Sequence, residues 1–404
     1  MTTIDKRAPQ EEISPGSIKP GEVYSLFSRA KINLTLGVGK RLSNGYHSIS
    51  SVICPLALCD QIEISVTDSP GQVSCEVELS PELSANISSY RPQLGEITKE
   101  LSSSKNLAAL AAFQCLEQWD PERRFGVEIR IRKNIPLEAG LGGGSSNAAS
   151  VIAFLAMFFE KHSTLDHECL KLAAKIGSDV PAILAGRLIY AEGTGGELVN
   201  IVCNNSQLTE DLLRSFEVTI LKPICGVSTG WAYSQLGRES VQAANNPEFF
   251  TVEPDIQSLS LLEVLGCQLS RESRRRTTTL AKGSSSELTS APSNGISGVR
   301  NFQSAGKGEI SADLNLRRAR FLNCLFNDFE PVVLRQVETI ATAHRVALEC
   351  GAERVLLAGS GSSLLCLAEK NSEPRLANRL RQKIAERVLP GGTLVLESAL
   401  SAGL

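Results

Sequence analysis

The chain has 404 residues, of which 42% are hydrophobic and 21% are charged. Because a typical domain has roughly 100 to 200 residues, two domains are expected. Lys and Arg number 41 against 44 Asp and Glu, which gives a formal net charge of −3. This composition excludes whole-chain disorder, collagen and coiled-coil structure, and the lack of a basic excess argues against nucleic-acid binding.

The cysteine and histidine patterns argue against disulfide and metal chemistry. The chain has 11 cysteines and no CxxC pair, so we interpret them as reduced structural thiols rather than as a disulfide or zinc framework. The four histidines show no HExxH or other metal-ligand spacing. We therefore expect no transition-metal site built from the protein's own side chains.

The first residues and the apolar runs bear on location. Residues 1–20 contain acidic residues and three prolines but no apolar run, so they lack the marks of a signal peptide and we predict a disordered leader. The longest apolar stretch, Ala148–Phe159, is shorter than the roughly 20 residues that cross a bilayer. We expect a cytoplasmic protein that binds no membrane and exists as a monomer or homodimer.

Residues 21–204 are predicted to form a first, N-terminal domain. A strand around Lys31 leads into the turn-rich segment LSNGYHS, and residues 67–105 are interpreted as an exposed excursion with at most one strand. Apolar spacing then predicts a helix from Asn106, and an alternating strand carries the chain into a glycine cluster. The other predicted elements are strands over Gln61–Val66 and Val73–Leu79 and helices over Ser145–Glu160 and His167–Ile176.

Residues 205–404 are predicted to form a C-terminal domain. Residues 237–314 are rich in Ser, Thr, Gly and Arg, which predicts a flexible insertion. We interpret the basic residues between 271 and 282 as part of a solvated loop rather than a polyanion site. The fold is expected to resume with two helical stretches and a strand–turn–strand hairpin over residues 354–369.

The segment IPLEAGLGGGSSNAAS carries the strongest chemical signal. Its glycines lie between a predicted strand and a helix N-terminus, where open backbone N–H groups and the helix dipole attract a di- or triphosphate. Ser145 and Ser146 add hydroxyls for the phosphate or for a magnesium ion carried with it. The loop lacks the lysine of a P-loop and the GxGxxG spacing of a Rossmann fold; a merely flexible turn stays open. The glycines are Gly140, Gly142, Gly143 and Gly144.

Lys31 lies between Ala30 and Ile32 in the first predicted strand. A lysine at a buried strand position is costly unless it has a partner. A catalytic lysine and an edge-strand lysine in water are both compatible with this pattern. Asn33 is two residues further along, so it faces the same side of the strand.

Three further residues have ambiguous local patterns. Tyr46 and His47 follow a predicted turn and suit stacking on a flat ring, although an incidental surface pair fits the local sequence better. Asp179 precedes Val180 and Pro181, so it could cap the next helix or bind a substrate hydroxyl, and the local sequence favours capping. The glycine clusters EGTGGEL and AGSGSS fit hairpin turns or close approach of a ligand.

Taken together, these motifs resemble the GHMP family of small-molecule kinases over most of the chain. The glycine–serine segment alone indicates only the family, whereas AKINL followed by GYH, and GSDVP, narrow the resemblance to members that phosphorylate 4-diphosphocytidyl-2-C-methyl-D-erythritol. The motifs occur in the family's order as AKINLTLGVGKRLSNGYHSISSV, KNIPLEAGLGGGSSNAAS, IGSDVPAILAGRLIYAEGTGGEL, KPICGVSTGWAY, LFNDFEPVV and AGSGSSLLCLAE.

The resemblance implies a two-domain α+β GHMP kinase fold, with a ribosomal S5 domain 2-like N-terminal domain that binds ATP and a ferredoxin-like C-terminal domain. It also implies phosphoryl transfer from ATP, carried with Mg²⁺, to the 2-hydroxyl of this acceptor. The alternatives are another GHMP kinase, for mevalonate or homoserine, and a nucleotide-binding regulator without catalysis. Departures from the family pattern are Leu137, Glu138, Ser178 and the long segments 67–105 and 237–314.

The resemblance also implies the role of each site residue. Asp179 would be the catalytic carboxylate and Lys31 its charged neighbour, against the local preference for capping. The cytosine ring would be enclosed by Tyr46, His47 and Tyr233, and the methylerythritol part would lie near Asn33 and Thr229. ATP would be bound by Asn106, Gly140, Leu141, Gly142, Gly143, Gly144, Ser145 and Ser146.

Overall fold

A computed structural model describes residues 18–242, 256–270 and 307–403, apart from positions 44, 90, 92, 162, 164, 371 and 372. These residues form helices and two β-sheets, as the α+β expectation requires. The strands are β1 (Val23–Asn33), β2 (Thr35–Arg41), β3 (His47–Thr67), β4 (Val73–Leu79), β5 (Gly126–Lys133), β6 (Ile189–Gly193), β7 (Glu197–Cys203), β8 (Phe216–Lys222), β9 (Cys267–Leu269), β10 (Phe326–Asn327), β11 (Arg354–Leu357), β12 (Leu364–Glu369) and β13 (Leu394–Ser398).

The helices cover the faces of the sheets and include several that the sequence patterns predict. The helix predicted over His167–Ile176 and the strand predicted over Val73–Leu79 are confirmed at those bounds. The helices are α1 (Pro81–Ser88), α2 (Leu94–Leu101), α3 (Leu107–Trp119), α4 (Gly143–Phe158), α5 (His167–Ile176), α6 (Val180–Leu184), α7 (Ser206–Arg214), α8 (Thr229–Gln242), α9 (Ile256–Val264), α10 (Lys307–Cys324), α11 (Phe329–Gln336), α12 (Glu338–Glu349) and α13 (Leu376–Ala385).

The larger sheet is built around β3. This strand pairs antiparallel with β2 and β6 near its start and with β1 and β5 further along, and β4 is added in parallel to β5. The order β10-β2-β3-β6-β7-β9 places short strands from beyond residue 205 at both ends. The smaller sheet is antiparallel in the order β11-β12-β8-β13.

The core follows from strand alternation and apolar helix faces. In β5 the residues Val127, Ile129 and Ile131 are buried while Glu128, Arg130 and Arg132 are exposed. One face of the sheet therefore packs against α3, α4 and α5. A second cluster joins β1 to the smaller sheet, with Ile32 and Ile220 both fully buried in it. The two sheets therefore share a continuous apolar core, and a domain boundary near residue 205 stays a prediction.

The segment between residues 67 and 105 is more regular than expected. Beyond β4 it contains α1 and α2, where the sequence interpretation allowed no helix. The Ser80 side chain accepts a hydrogen bond from the Leu83 N–H, and Pro81 occupies the first turn of α1. A Ser–Pro pair at this spacing is a helix-start signal, so it could have predicted α1.

The expected flexible insertion also contains regular structure where it is described. Between residues 237 and 314, α8 continues to Gln242, and α9, β9 and the first turns of α10 are formed. Residues 243–255 and 271–306, with the basic residues between 271 and 282, lie outside the described residues, as do residues 1–17 of the expected leader. Ile18, in that expected leader, is 6% exposed and belongs to the core.

One pair of cysteines is not reduced. Cys203 of β7 and Cys267 of β9 are register partners and form a disulfide. The expectation of reduced thiols is therefore wrong for this pair, because strand pairing brings together residues 64 positions apart in sequence. The other nine cysteines are free thiols.

Among the residues described here, no helix has the length and apolar character needed to span a membrane.

Candidate active site

A cleft of about 1200 Å³ lies between the start of α4, the first half of the larger sheet and α8. Ligand sites for single small molecules commonly have volumes of roughly 300 to 1,000 Å³, so this cleft is large enough for two substrates side by side. Its walls include Lys31, Asn33, Asp179 and most of the glycine loop. The fold thus brings together side chains that are far apart in sequence.

Lys31 and Asp179 form an ion pair at the floor of the cleft. Lys31 lies just after a register shift in the β1–β3 ladder, and its Nζ is 3.1 Å from Asp179 Oδ2. The side chain of Lys31 is 7% exposed, whereas that of Asp179 is 34% exposed. The buried ammonium is therefore paired, as burial requires, and the carboxylate is open to the cleft.

Asp179 is the residue before α6, but it does not cap that helix. Its side chain makes no capping hydrogen bond, so the local preference for capping is wrong. The carboxylate instead faces Lys31, which reaches it from β1. A carboxylate in this position can accept a hydrogen bond, or a proton, from a hydroxyl bound in the cleft.

A chain of hydrogen bonds fixes the other side of Lys31. Its Nζ donates to Asn33 Oδ1 at 2.7 Å, and Asn33 Nδ2 donates to Ser51 Oγ at 2.7 Å. Ser51 in turn donates to the carbonyl oxygen of Thr35 at 2.6 Å. Asn33 is thus held from β3, and the lysine has a defined position between an amide and a carboxylate.

The glycine loop presents its backbone to the cleft. Gly140 and Gly142 have φ values of 74° and 68°, a left-handed conformation that favours glycine. Gly142 precedes α4 and provides no side-chain cap. No side chain at Gly142 caps the first N–H groups of α4. An anion can therefore bind at this end of the helix. Gly143, Gly144, Leu141 and Ser145 line the same wall.

Two predicted ATP-binding side chains are not in the cleft wall. Asn106 caps α3: its Oδ1 accepts from the Ala108 N–H at 2.8 Å, and its Nδ2 donates to the Leu101 carbonyl at 2.7 Å. Ser146 is 1% exposed and hydrogen-bonds to Ser28 and to the Arg29 carbonyl of β1. The internal partners hold both side chains in place, and their roles as ATP ligands stay predictions.

Lys133 is a cleft residue that the sequence interpretation missed. Its Nζ is 2.5 Å from Asp60 Oδ2, and it also donates to Asn147 Oδ1 at 3.2 Å. Asp60 is fully buried and accepts the N–H groups of Asn134 and Ile135, both at 2.8 Å. Lys133 falls on the buried phase of the alternating strand β5, and a lysine in that phase was the available signal.

Aromatic side chains form the other end of the cleft. The rings of His47 and Tyr233 are stacked with centroids 5.0 Å apart, and Phe329 packs edge-on against Tyr233 at 4.9 Å. Burial, and then the charge of Arg41, lowers the pKa of His47, and burial, with a smaller effect of Asp179, raises the pKa of Tyr233 to about 12. Both rings are therefore neutral near pH 7. Tyr46 lines this end but is 68% exposed.

A glycine-rich turn from the smaller sheet closes the cleft. The sequence predicts a hairpin over residues 354–369, and β11 and β12 form it. Thr229 at the start of α8 and Ser360 of the turn have their hydroxyl oxygens 3.0 Å apart. Asn327 supports the turn from behind, since its Nδ2 donates to the Leu357 and Gly359 carbonyls, each at 2.7 Å.

The chain matches two family descriptions. The GHMP kinases N terminal domain matches residues 106–187, and the GHMP kinases C terminal domain matches residues 311–386. The first range contains the glycine loop and Asp179, and the second contains Asn327 and the hairpin turn. The matched segments therefore carry residues from both sides of the cleft.

Curated relatives share one name. A 4-diphosphocytidyl-2-C-methyl-D-erythritol kinase from Citrifermentans bemidjiense is 28% identical over 87% of this chain and 92% of the relative. One of the same name from Anaeromyxobacter sp. is 40% identical over 58% of this chain and 70% of the relative. A third, from Pelobacter propionicus, is 32% identical over 58% of this chain and 73% of its own length.

Solved structures with the same fold include kinases for different acceptors. A crystal structure of 4-(cytidine 5'-diphospho)-2C-methyl-D-erythritol kinase superposes with a TM-score of 0.54 at 23% identity, covering 94% of this chain and 99% of the other. A homoserine kinase from Cytophaga hutchinsonii superposes with a TM-score of 0.53 at 14% identity, covering 95% and 97%. At these identities the likeness shows the fold alone.

Proposed function

The chain belongs to the GHMP kinase family and, within it, to the 4-diphosphocytidyl-2-C-methyl-D-erythritol kinases, and on this basis we propose that it transfers the terminal phosphoryl group of ATP to the 2-hydroxyl of that acceptor. The reaction is a step of the non-mevalonate route to isoprenoid precursors. The observation that carries the proposal is the Lys31–Asp179 pair, which lies in one cleft with an open helix N-terminus and an aromatic wall.

The acceptor is proposed to lie along the floor and the aromatic end of the cleft. Its cytosine packs against the aromatic wall of Tyr46, His47 and Tyr233, whose polar edges provide hydrogen bonds. Its methylerythritol part extends toward Asn33 and Thr229. This pose directs the 2-hydroxyl to Asp179, whose carboxylate is the exposed member of its ion pair.

The chemical step forms a bond between the acceptor oxygen and the γ-phosphorus of ATP and breaks the bond from that phosphorus to the β-phosphate oxygen. Asp179 accepts the hydroxyl proton and holds the oxygen in line. Lys31 orients the carboxylate and adds positive charge beside the transferred group. ADP and the phosphorylated acceptor are the products.

The glycine loop is proposed to bind the triphosphate. Backbone N–H groups of the first turn of α4, with the hydroxyl of Ser145, meet the phosphate oxygens. Lys133, which is paired with Asp60, lies next to this loop: its Nζ is 3.1 Å from the position that a Cβ on Gly143 would occupy. It therefore adds a cation beside the phosphates. Gly144 and Leu141 complete the wall without a charged group.

Magnesium enters with the nucleotide in this proposal. Among the described residues, no group of three or more His, Cys, Asp or Glu side chains could hold a metal ion. Mg²⁺ in kinases is commonly bound by phosphates, waters and only one or two protein oxygens, and the Ser145 hydroxyl in the cleft wall fits that role. When bound, the ion would neutralise phosphate charge.

Two alternatives are less well supported. Kinases for mevalonate or homoserine have acceptors without an aromatic base, so the stacked wall of His47 and Tyr233 would have no ring to bind. A nucleotide-binding regulator would not need the ion pair of Lys31 and Asp179, yet both residues are present and in contact. The fold itself does not distinguish between these acceptors, since a homoserine kinase superposes nearly as well as the kinase for the cytidylyl acceptor.

The test is ADP release by purified protein with Mg-ATP and one acceptor at a time. We expect turnover with 4-diphosphocytidyl-2-C-methyl-D-erythritol and none with mevalonate or homoserine. Turnover with mevalonate or homoserine would support the assignment as a small-molecule kinase and would contradict the proposed acceptor. Measurable ATP binding without turnover on any of the three would favour the regulator.

A further inference from the structure

Glu138 places a carboxylate in the cleft wall two residues before Gly140. It has a φ of 49°, which non-glycine residues rarely adopt, and its side chain is 41% exposed. The Glu138 carbonyl accepts the Ser362 N–H at 3.2 Å, so the backbone is fixed between the glycine loop and the hairpin turn.

A bare carboxylate at this position opposes binding of a polyphosphate. A nucleoside triphosphate carries several negative charges at neutral pH, and like charges in a shared, partly desolvated cleft repel. The carboxylate lies beside the backbone of Gly226, since a Cβ there would lie 2.1 Å from Glu138 Oε2. A cation paired with Glu138 would neutralise this charge.

Arg91 provides that cation. Its Nη2 donates to both carboxylate oxygens of Glu138, at 2.8 and 2.9 Å. It comes from the segment between α1 and α2, which is part of the long excursion over residues 67–105. Its backbone N–H donates to the Ile87 carbonyl at 2.7 Å at the end of α1, so the position of the arginine follows that of the helix.

α1 is itself anchored by buried side chains and by a contact with the chain just before the smaller sheet's last strand. Leu83 and Asn86 are each 1% exposed, and Asn86 Nδ2 donates to the Gly392 carbonyl, just before β13 of the smaller sheet, at 2.5 Å. The helix that accepts the Arg91 backbone N–H is therefore part of the packed structure. The Arg91 side chain is 49% exposed, and ion pairs exposed to this degree contribute little to folding stability.

We propose that Arg91 neutralises Glu138 and thereby sets the affinity of the cleft for the nucleotide triphosphate. The inference rests on the proposed function only in taking ATP as the ligand of the glycine loop. Arg91 acts through Glu138 and is a positioning residue with an electrostatic role. The excursion that carries it thus contributes to nucleotide binding, although Arg91 itself is not in the cleft wall.

The test is a double-mutant cycle on Mg-ATP binding, measured by calorimetry without acceptor. We expect Arg91→Gln to raise the Kd for ATP roughly three- to tenfold at low salt, and the difference to shrink at about 0.5 M salt. Glu138→Gln should leave the Kd at or below that of the unchanged protein. Adding Arg91→Gln to Glu138→Gln should then have no further effect.

Arg345→Gln is the matched control, because Arg345 forms an exposed ion pair with Glu349 on α12 at 3.1 Å, outside the cleft. It removes the same charge and should leave the Kd unchanged. The proposal would be overturned if Arg91→Gln weakened ATP binding equally with and without the Glu138 carboxylate. It would also be overturned if Arg91→Gln did not weaken ATP binding at all. If ATP binds but the acceptor is not phosphorylated, the proposed function fails while the cycle is still interpretable.

Discussion

A methyl group on the α-carbon of Gly140 would lie 1.7 Å from the carbonyl oxygen of Ala358. The glycine loop of the larger sheet and the hairpin turn of the smaller sheet therefore meet backbone to backbone. Gly359 contributes to the same contact, since a Cβ there would lie 3.1 Å from the Gly140 carbonyl oxygen. The glycine loop is positioned by a part of the chain more than 200 residues away.

Gly140→Ala should destabilise the protein by about 2 to 5 kcal/mol, because it adds both a left-handed alanine and a clash with Ala358. Thermal unfolding measures the effect. Gly71→Ala is the matched control: Gly71 has a similar φ of 67°, but nothing lies within 4 Å of the added Cβ. Gly71→Ala should lower the stability by only about 1 to 2 kcal/mol. Equal losses of stability in the two variants would show that the contact of Gly140 with Ala358 is not tight.

Asp179→Asn should lower kcat roughly 10²- to 10⁴-fold with little change in the Kd for ATP, because the amide cannot accept the hydroxyl proton. Steady-state kinetics and nucleotide binding separate the two effects. Asp166→Asn is the control, since Asp166 precedes α5 and caps it by accepting the Cys169 N–H at 2.8 Å. Asparagine caps helices equally well, so this variant should retain full activity. A fully active Asp179→Asn enzyme would remove Asp179 from the mechanism.

Tyr233→Ala should raise the KM for the cytidylyl acceptor roughly 5- to 100-fold, as expected for loss of one base-stacking surface. The KM for ATP should change less than about twofold, because the ring lies at the other end of the cleft. Tyr233→Phe keeps the ring and its contact with Phe329, so it should raise the KM for the acceptor less than Tyr233→Ala does. Equal changes in both KM values for Tyr233→Ala would indicate a general loss of structure.

Asn327→Asp should destabilise the protein by about 3 kcal/mol, because it replaces the amide donor facing the Leu357 and Gly359 carbonyls with a carboxylate. Urea unfolding at neutral pH measures this change. Asn378→Asp is the control, since the exposed Asn378 accepts a hydrogen bond from Arg381 through its oxygen and a carboxylate retains that contact. Its stability should be unchanged within about 0.5 kcal/mol, and a tolerated Asn327→Asp would show that the turn does not depend on the amide.

Thiol titration of the denatured protein should give nine reactive cysteines without reductant and eleven after reduction. The difference reports the Cys203–Cys267 disulfide. In Cys203→Ser the count should be ten in both conditions, because Cys267 loses its partner. Eleven thiols in the unreduced, purified protein would show that the two cysteines stay reduced when paired.

Local sequence was sufficient for elements whose pattern is set by near neighbours. The alternation from Val73 to Leu79, the amphipathic spacing from His167 to Ile176 and the glycine turn between β11 and β12 are each determined within about a dozen residues. The order of glycine loop and helix was determined in the same way. These signals depend on backbone conformation and on which face of an element is buried, and residues close together in sequence determine both.

The tertiary structure decided what the polar side chains do. Asp179 has the sequence pattern of a helix cap, yet it faces Lys31. The local patterns of Asn106 and Ser146 did not predict the internal hydrogen bonds that their side chains make. The partner of Lys133 is 73 residues away and that of Glu138 is 47 residues away. A carboxylate, amide or hydroxyl is satisfied by whatever the fold brings within about 3 Å, and that neighbour is set by packing between distant segments, which no local pattern contains.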